Sequence, residues 1–211
     1  PARETSGDFY DFIPLPGDRL GLVVADVTDK GMGAALYMAL SRTLIRTYAT
    51  SYPTRPDSAL RAANERILAD TGADLFVTVF YGILDPAAGT LTYCNAGHYP
   101  PYLLSMEAGG TVQALPGRGM ALGILDDTGW GHSTVELSPG ALLILYTDGV
   151  VDAQSPQQER FGNELMLDAV RESFGRSAQD VQEDLLTRLQ RFMGNEPQFD
   201  DITVMTVRRD L

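Results

Sequence analysis

Aspartates recur where apolar stretches begin or end, and these are the residues whose placement could do chemistry. The run Leu20 to Ala25 closes on Asp26, and Ala141 to Tyr146 leads into Asp148. Asp200 and Asp201 precede the stretch Ile202 to Val207, and Asp8 opens GDFYDFIPL. Asp11, Asp29 and Asp152 accompany them. One aspartate beside a glycine is ordinarily a turn or a helix cap. Four such places in one chain shift the balance. If the strand ends converge, carboxylates within a few Å repel one another and cannot all stay ionised without cations. Lys30 is the sole lysine, and no arginine lies inside these acidic stretches. Divalent ions then become the neutralisers, and all-oxygen ligands select Mg²⁺ or Mn²⁺ over zinc. Two such ions could acidify a bridging water and clamp a phosphoryl group, giving hydrolysis without a protein nucleophile.

Competing chemistries need residues that are missing. The chain has no G-x-x-x-x-G-K-[ST], no D-x-[DN]-x-[DN]-G calcium loop, no G-x-S-x-G elbow and no H-E-x-x-H. Asp26 and Asp29 are one residue too far apart for an Asp-x-Asp nucleophile pair. His98, in AGHYPP, reads as a loop histidine bonded to backbone, with general acid as the sharper alternative. His132 reads as a strand-face residue, Cys94 as a small core residue, and Trp130 as either loop or packing. Lys30 is either a solvated turn residue or a partner of the acids.

The elements that must position these acids can be read from the pattern. Gly7 to Leu15 and Leu20 to Ala25 flank a Pro16-Gly17-Asp18 turn, so an antiparallel hairpin would bring Asp8 and Asp26 to one end. A helix is expected from about Gly33 to Tyr48, with Arg42 and Arg46 as its polar stripe. A second opens at Asp57 or Ser58 and carries Leu60, Ala63, Ile67 and Leu68 on one face. Strands are expected over Leu75 to Leu84, Thr90 to Ala96, Tyr102 to Met106, Val112 to Leu115, His132 to Leu137 and Ala141 to Tyr146. Two helices follow, from about Asn163 to Phe174 and from a capping box at Ser177 and Asp180, before a last strand over Ile202 to Val207. Nothing alternates as βαβ, which argues against a parallel doubly wound sheet and for two packed sheets with helices outside.

Composition bounds the partners. The chain has 211 residues, 44% of them hydrophobic, and a net charge of −12, which argues against nucleic acid or an anionic membrane as partner. A single cysteine permits no internal disulfide, and the expected compartment is the cytoplasm. No apolar run is long enough to span a bilayer, so no membrane insertion of this domain is expected. One domain over 1–211 is expected, as the C-terminal fragment of a longer multidomain signalling protein, because the chain opens at Pro1 and reaches its first motif by Gly7.

Taken in order, SGDFYDF (6–12), ADVTDKGMGAAL (25–36), CNAGHYPPYL (94–103), LYTDGVVDA (145–153), ERFG (159–162) and DDITVMTVR (200–208) resemble the SpoIIE-like phosphatases. These are the bacterial branch of the metal-dependent PPM protein phosphatases and include the sigma-B regulator phosphatases. The resemblance implies an α+β fold, a four-layer α-β-β-α sandwich with two Mn²⁺ or Mg²⁺ ions at one end of its sheets. It implies hydrolysis of phosphoserine or phosphothreonine on a STAS-domain anti-anti-sigma factor, under an upstream sensor or regulatory domain. Carried over by motif, Asp26 would bridge both ions, with the Val27 carbonyl as a neighbouring ligand. Asp8 would hold one ion, and Asp148 and Asp200 the other; Asp201 is a further ligand or a supporting group. Asp11, Asp29 and Asp152 would be structural, and Arg3 would contact substrate phosphate. Ser6 stands where the family's first motif has glycine. The helix after Asp26 either is simply core or faces a second copy or a regulatory segment, which keeps a homodimer open. Two other functions fit: a non-catalytic binding module, disfavoured by the intact acid set, and a phosphatase of small metabolites.

Overall fold

The computed structural model describes residues 5–71, 75–105, 111–117, 119–126 and 129–210. Its first strands are β1 (Phe9–Leu15) and β2 (Arg19–Val27). In β1 the odd positions Phe9, Asp11, Ile13 and Leu15 are buried and the even ones exposed, as a strand covered on one face requires. Gly17 and Asp18 turn the chain at φ 75° and 56°, and the register that follows pairs Leu15 with Arg19 and Phe9 with Ala25. Two helices come next, α1 (Met32–Ser51) and α2 (Pro56–Asp70).

The middle of the chain supplies β3 (Val77–Asp85), β4 (Thr90–Ala96), β5 (Tyr102–Ser105), β6 (Thr111–Ala114), β7 (Ser133–Glu136) and β8 (Leu142–Tyr146). A single turn, α3 (Asp148–Val151), then α4 (Gly162–Glu172), α5 (Ala178–Met193) and β9 (Val204–Arg208) complete it. Helix α5 opens on the expected capping box: Ser177 Oγ accepts from Asp180 N at 3.1 Å and Ser177 N donates to the Asp180 carboxylate at 3.3 Å. Among the described residues the strands form two antiparallel sheets, ordered β1-β2-β3-β4-β7 and β6-β5-β8-β9.

Three apolar cores give four layers. The outer face of the five-stranded sheet packs Val23, Ala25 and Val79 against Ile45, Ala49, Leu60 and Ile67 of α1 and α2. Leu22, Val24 and Phe80 meet Leu103, Leu143 and Leu145 between the sheets. Leu142, Ile144 and Tyr146 pack against Met166, Val170, Leu185 and Leu189 of α4 and α5. Alternate residues of β2 and β8 therefore enter different cores, so these two strands read as unbroken apolar runs. The expected sandwich is the observed one, and no described helix is long and apolar enough to cross a membrane.

Candidate active site

Extending the β1–β2 register one step past Phe9↔Ala25 sets Asp8 opposite Asp26. A backbone bond from Val27 N to Gly7 O at 3.3 Å continues that ladder. Asp26 shares the strand parity of Leu22 and Val24, so it lies on the face between the sheets, just beyond the apolar core. From the other sheet, β8 ends at Tyr146 and α3 begins on Asp148, while Asp200 and Asp201 lie just before β9.

Hydrogen bonds from neutral groups lock these ends together. Thr147 Oγ1 donates to Asp8 Oδ2 at 2.6 Å, from the second sheet to the first. Thr203 N donates to the same hydroxyl at 3.0 Å, and Thr147 N to Thr203 O at 3.1 Å. Asp201 Oδ2 accepts from Ser6 Oγ at 2.7 Å and from Gly7 N at 2.9 Å, which pins the segment before β1. Ser6, the departure from the family's glycine, thus serves as a donor here. A Cβ on Gly149 would overlap the Asp201 carbonyl, so only glycine lets α3 approach this loop.

The electrostatics follow from burial and like charge. Burial lifts the Asp26 carboxyl to about 8, and the charges of Asp8, Asp148 and Asp200 push the same way. Asp8 rises to about 6, again chiefly by burial, against hydrogen bonds from Thr147 and Thr203 that pull it down. Asp148 is raised by burial and then by Asp200 and Asp152. Lys30 brings a cation to the cluster: its Nζ lies 3.0 Å from Asp200 Oδ1, 2.6 Å from Phe199 O and 4.9 Å from the Phe199 ring centre. Among the described residues no three His, Cys, Asp or Glu side chains close on one point as they stand.

The remaining acids and histidines sort cleanly. Asp11 faces α1 on the opposite face of β1 from Asp8 and pairs with Arg42 at 3.3 Å and Arg46 at 2.7 Å. Asp152 pairs with Arg160 at 2.9 Å, and Asp29, at φ 76°, accepts from Lys30 N at 2.8 Å. Arg3 lies outside the described residues. His98 is buried and bonded to the Tyr146 carbonyl at 3.2 Å, as expected, but also to Thr78 Oγ1 at 2.9 Å. Burial pushes it down to about 4, so it is neutral near pH 7 and not poised as a general acid. His132 lies just ahead of β7 rather than in a strand, and its Nδ1 is 3.1 Å from Asp57. Cys94 is core, and Trp130 is packed, donating to Met120 O at 2.9 Å.

Comparison with known proteins bears on the family and the fold. A family model described as Stage II sporulation protein E (SpoIIE) matches residues 16–210. Protein IcfG of Synechocystis sp. is 34% identical over 238 residues, covering 100% of this chain and 37% of that protein. The phosphoserine phosphatase RsbU of Bacillus subtilis is 29% identical over 215 residues, covering 99% of this chain and 61% of that protein. The chain thus spans about a third to three fifths of the length of these relatives. The SiaA-PP2C domain of Pseudomonas aeruginosa shares the fold at a TM-score of 0.89 with 24% identity, covering 100% of this chain and 83% of that one. With the family match running through nearly the whole sequence, this chain belongs to the SpoIIE family, and it shares the fold of the SiaA-PP2C domain.

Proposed function

We propose that this domain hydrolyses phosphoserine or phosphothreonine in a STAS-domain protein, using two Mn²⁺ or Mg²⁺ ions at the acid cluster. The observation that supports the reading is that Asp8 from one sheet and Asp148 and Asp200 from the other all raise the Asp26 carboxyl, at a partly buried end with Lys30 beside Asp200. Asp26 would serve both ions and the Val27 carbonyl one of them; Asp8 would hold the first ion, and Asp148 and Asp200 the second. The donors fit hard cations, since all are oxygens. Gly7 fits too: a Cβ there would sit 2.9 Å from the Val27 carbonyl oxygen and crowd it. Ions bound there would lower the pKa of a coordinated water and offset the charge of a phosphoryl group.

The chain's own residues prepare that end. Thr147 holds Asp8 Oδ2 and leaves the carboxylate charged. Asp201 fixes the start of β1 through Ser6 and Gly7, which supports a bracing role for it over direct ligation by Oδ2. Asp26 must give up its proton, and burial with three neighbouring acids makes it reluctant until positive charge arrives. The phosphoprotein class follows the relative named a phosphoserine phosphatase; the STAS domain follows the motif resemblance. In the whole protein, regulatory segments beyond this domain would govern the site.

The test is turnover of p-nitrophenyl phosphate, a phosphorylated STAS protein and a small phosphorylated metabolite, each with Mn²⁺ and after EDTA. Metal-dependent turnover with strong preference for the phosphoprotein is expected. Activity that survives EDTA would overturn the metal assignment, and preference for the metabolite would overturn the substrate class.

A further inference from the structure

His98 comes from the loop after β4, yet its ring lies between the two sheets. Gly97, at φ 71°, turns the chain there, and Asn95 Oδ1 accepts from His98 N at 2.8 Å, which fixes the ring's entry. On one side the ring reaches Thr78 Oγ1 at 2.9 Å. Thr78 is the cross-strand partner of Asp26, so both side chains project from the same face, and the Thr78 hydroxyl is 3.4 Å from the Asp26 carbonyl. On the other side His98 Nε2 lies 3.2 Å from the carbonyl of Tyr146, the last residue of β8. Thr147, which holds Asp8, and Asp148 follow directly.

The protons on this bridge are assigned by its partners. A carbonyl only accepts, so Nε2 carries the hydrogen toward Tyr146. In the neutral ring Nδ1 is then the acceptor, and the Thr78 hydroxyl donates to it. One small ring therefore spans β3 and β8, the strands that flank the two halves of the acid set. The apolar contact between the sheets, through Leu22, Val24, Leu143 and Leu145, lies on the core side of this bridge.

We propose that His98 is a positioning residue that sets the distance between the Asp26 strand and the Asp148 turn by bridging the Thr78 hydroxyl and the Tyr146 carbonyl. The inference rests on the ligand reading above, since it is the spacing of those acids that the bridge controls. Its role is to hold the set in register before an ion arrives, without adding a charge or touching the substrate. Groups that orient metal ligands from behind typically change affinity by about tenfold or more when removed.

The experiment is Mn²⁺ titration by calorimetry on this chain and on Thr78→Val, His98→Ala, His98→Gln and Asp26→Asn, with thermal unfolding in EDTA as the fold control. Thr78→Val keeps the side chain's shape and removes only the hydroxyl, so it tests the bridge even if His98→Ala folds poorly. The expected result is about tenfold weaker Mn²⁺ binding for Thr78→Val, with the unfolding midpoint in EDTA lowered by only a few degrees as the buried ring loses its donor. The double variant Thr78→Val/His98→Ala should bind no more weakly than His98→Ala alone, because both remove one bridge. His98→Gln, whose amide can still donate to Tyr146, should fall between wild type and His98→Ala. Wild-type affinity in Thr78→Val, with Asp26→Asn abolishing binding, would overturn the bridge and leave the ligand reading standing. A wild-type chain that takes up no Mn²⁺ would overturn both.

Discussion

Asp26→Asn should make the ion-free protein more stable while destroying its activity. The Asp26 carboxyl moves from 3.8 to about 8, first by burial and then by Asp8, Asp148 and Asp200. Between those values the folded state holds a proton that the unfolded chain has released. Folded protein therefore binds more protons across that window, and stability falls as pH rises through it. The rise corresponds to a ceiling of about 6 kcal/mol, at about 1.4 kcal/mol per pH unit. Asp26 keeps partial solvent access and relaxes together with Asp8, so about a third of the ceiling, about 2 kcal/mol, is the working figure. For a domain of this size that is about 4–8 °C in unfolding midpoint. The assay is thermal unfolding of both proteins in EDTA at pH 4 and pH 8.5. The variant's advantage should be near zero at pH 4 and full at pH 8.5. Added Mn²⁺ should then raise the wild-type midpoint by mass action and leave the variant nearly unmoved. An advantage independent of pH, or a variant less stable than wild type at pH 8.5 in EDTA, would refute the reasoning.

Other substitutions separate support from chemistry. Asp11→Asn weakens the pairs from the buried Asp11 to Arg42 and Arg46, whose side chains are about half exposed, so it should cost about 1 kcal/mol in denaturant unfolding. Its turnover of p-nitrophenyl phosphate should stay near wild type, whereas Asp26→Asn should lose on the order of 10³-fold; equal losses would show that the acids are misassigned. Gly149→Ala would force α3 off the Asp201 carbonyl and should cost about 3 kcal/mol, with weaker Mn²⁺ binding read by calorimetry. Gly131→Ala, where an added Cβ meets open space, is its control and should be silent.

The helices and most strands were legible because their patterns are local. The apolar run before Asp26 extends only from the expected Leu20–Ala25 to Arg19–Val27, and the first helix from about Gly33–Tyr48 to Met32–Ser51. The Pro16-Gly17-Asp18 turn was enough to place Asp8 and Asp26 at one end, since a hairpin leaves no other register end for them. Helix α3 is four residues long and has no period to detect. The return of β7 to β4, and of β8 to β5, is a long-range pairing that no short window contains. Among the acids, the partners of Asp11 lie 31 and 35 residues away on α1, which no local pattern reveals. Lys30 left two readings open because a turn lysine beside an acid looks the same whether solvated or paired; the fold brings Asp200 to it from the far end of the chain. His98 was legible as a histidine bonded to backbone, while its second partner, Thr78, depended on how the sheets stack.

What holds the acid set together is chosen so as not to satisfy it. A cluster of buried carboxylates repels itself, and the most direct remedy would be arginine or lysine among them. That remedy would also occupy the oxygens a cation needs. Here Asp8 is held by a threonine hydroxyl and Asp201 by a serine hydroxyl and a backbone N–H, while the two sheets are linked by a histidine that burial keeps uncharged near pH 7. Each brace fixes geometry and leaves the negative charge in place. Lys30 is the exception, and it sits at the edge, its side chain 26% exposed and bonded to Asp200 alone among the proposed ligands. A partly exposed pair of that kind contributes only modestly. The repulsion therefore remains in the ion-free fold as a deficit, carried by the three apolar cores. In the proposed site, that deficit is the free energy a divalent ion would recover on binding, which links the instability expected of Asp26 at high pH to the affinity expected of the intact site.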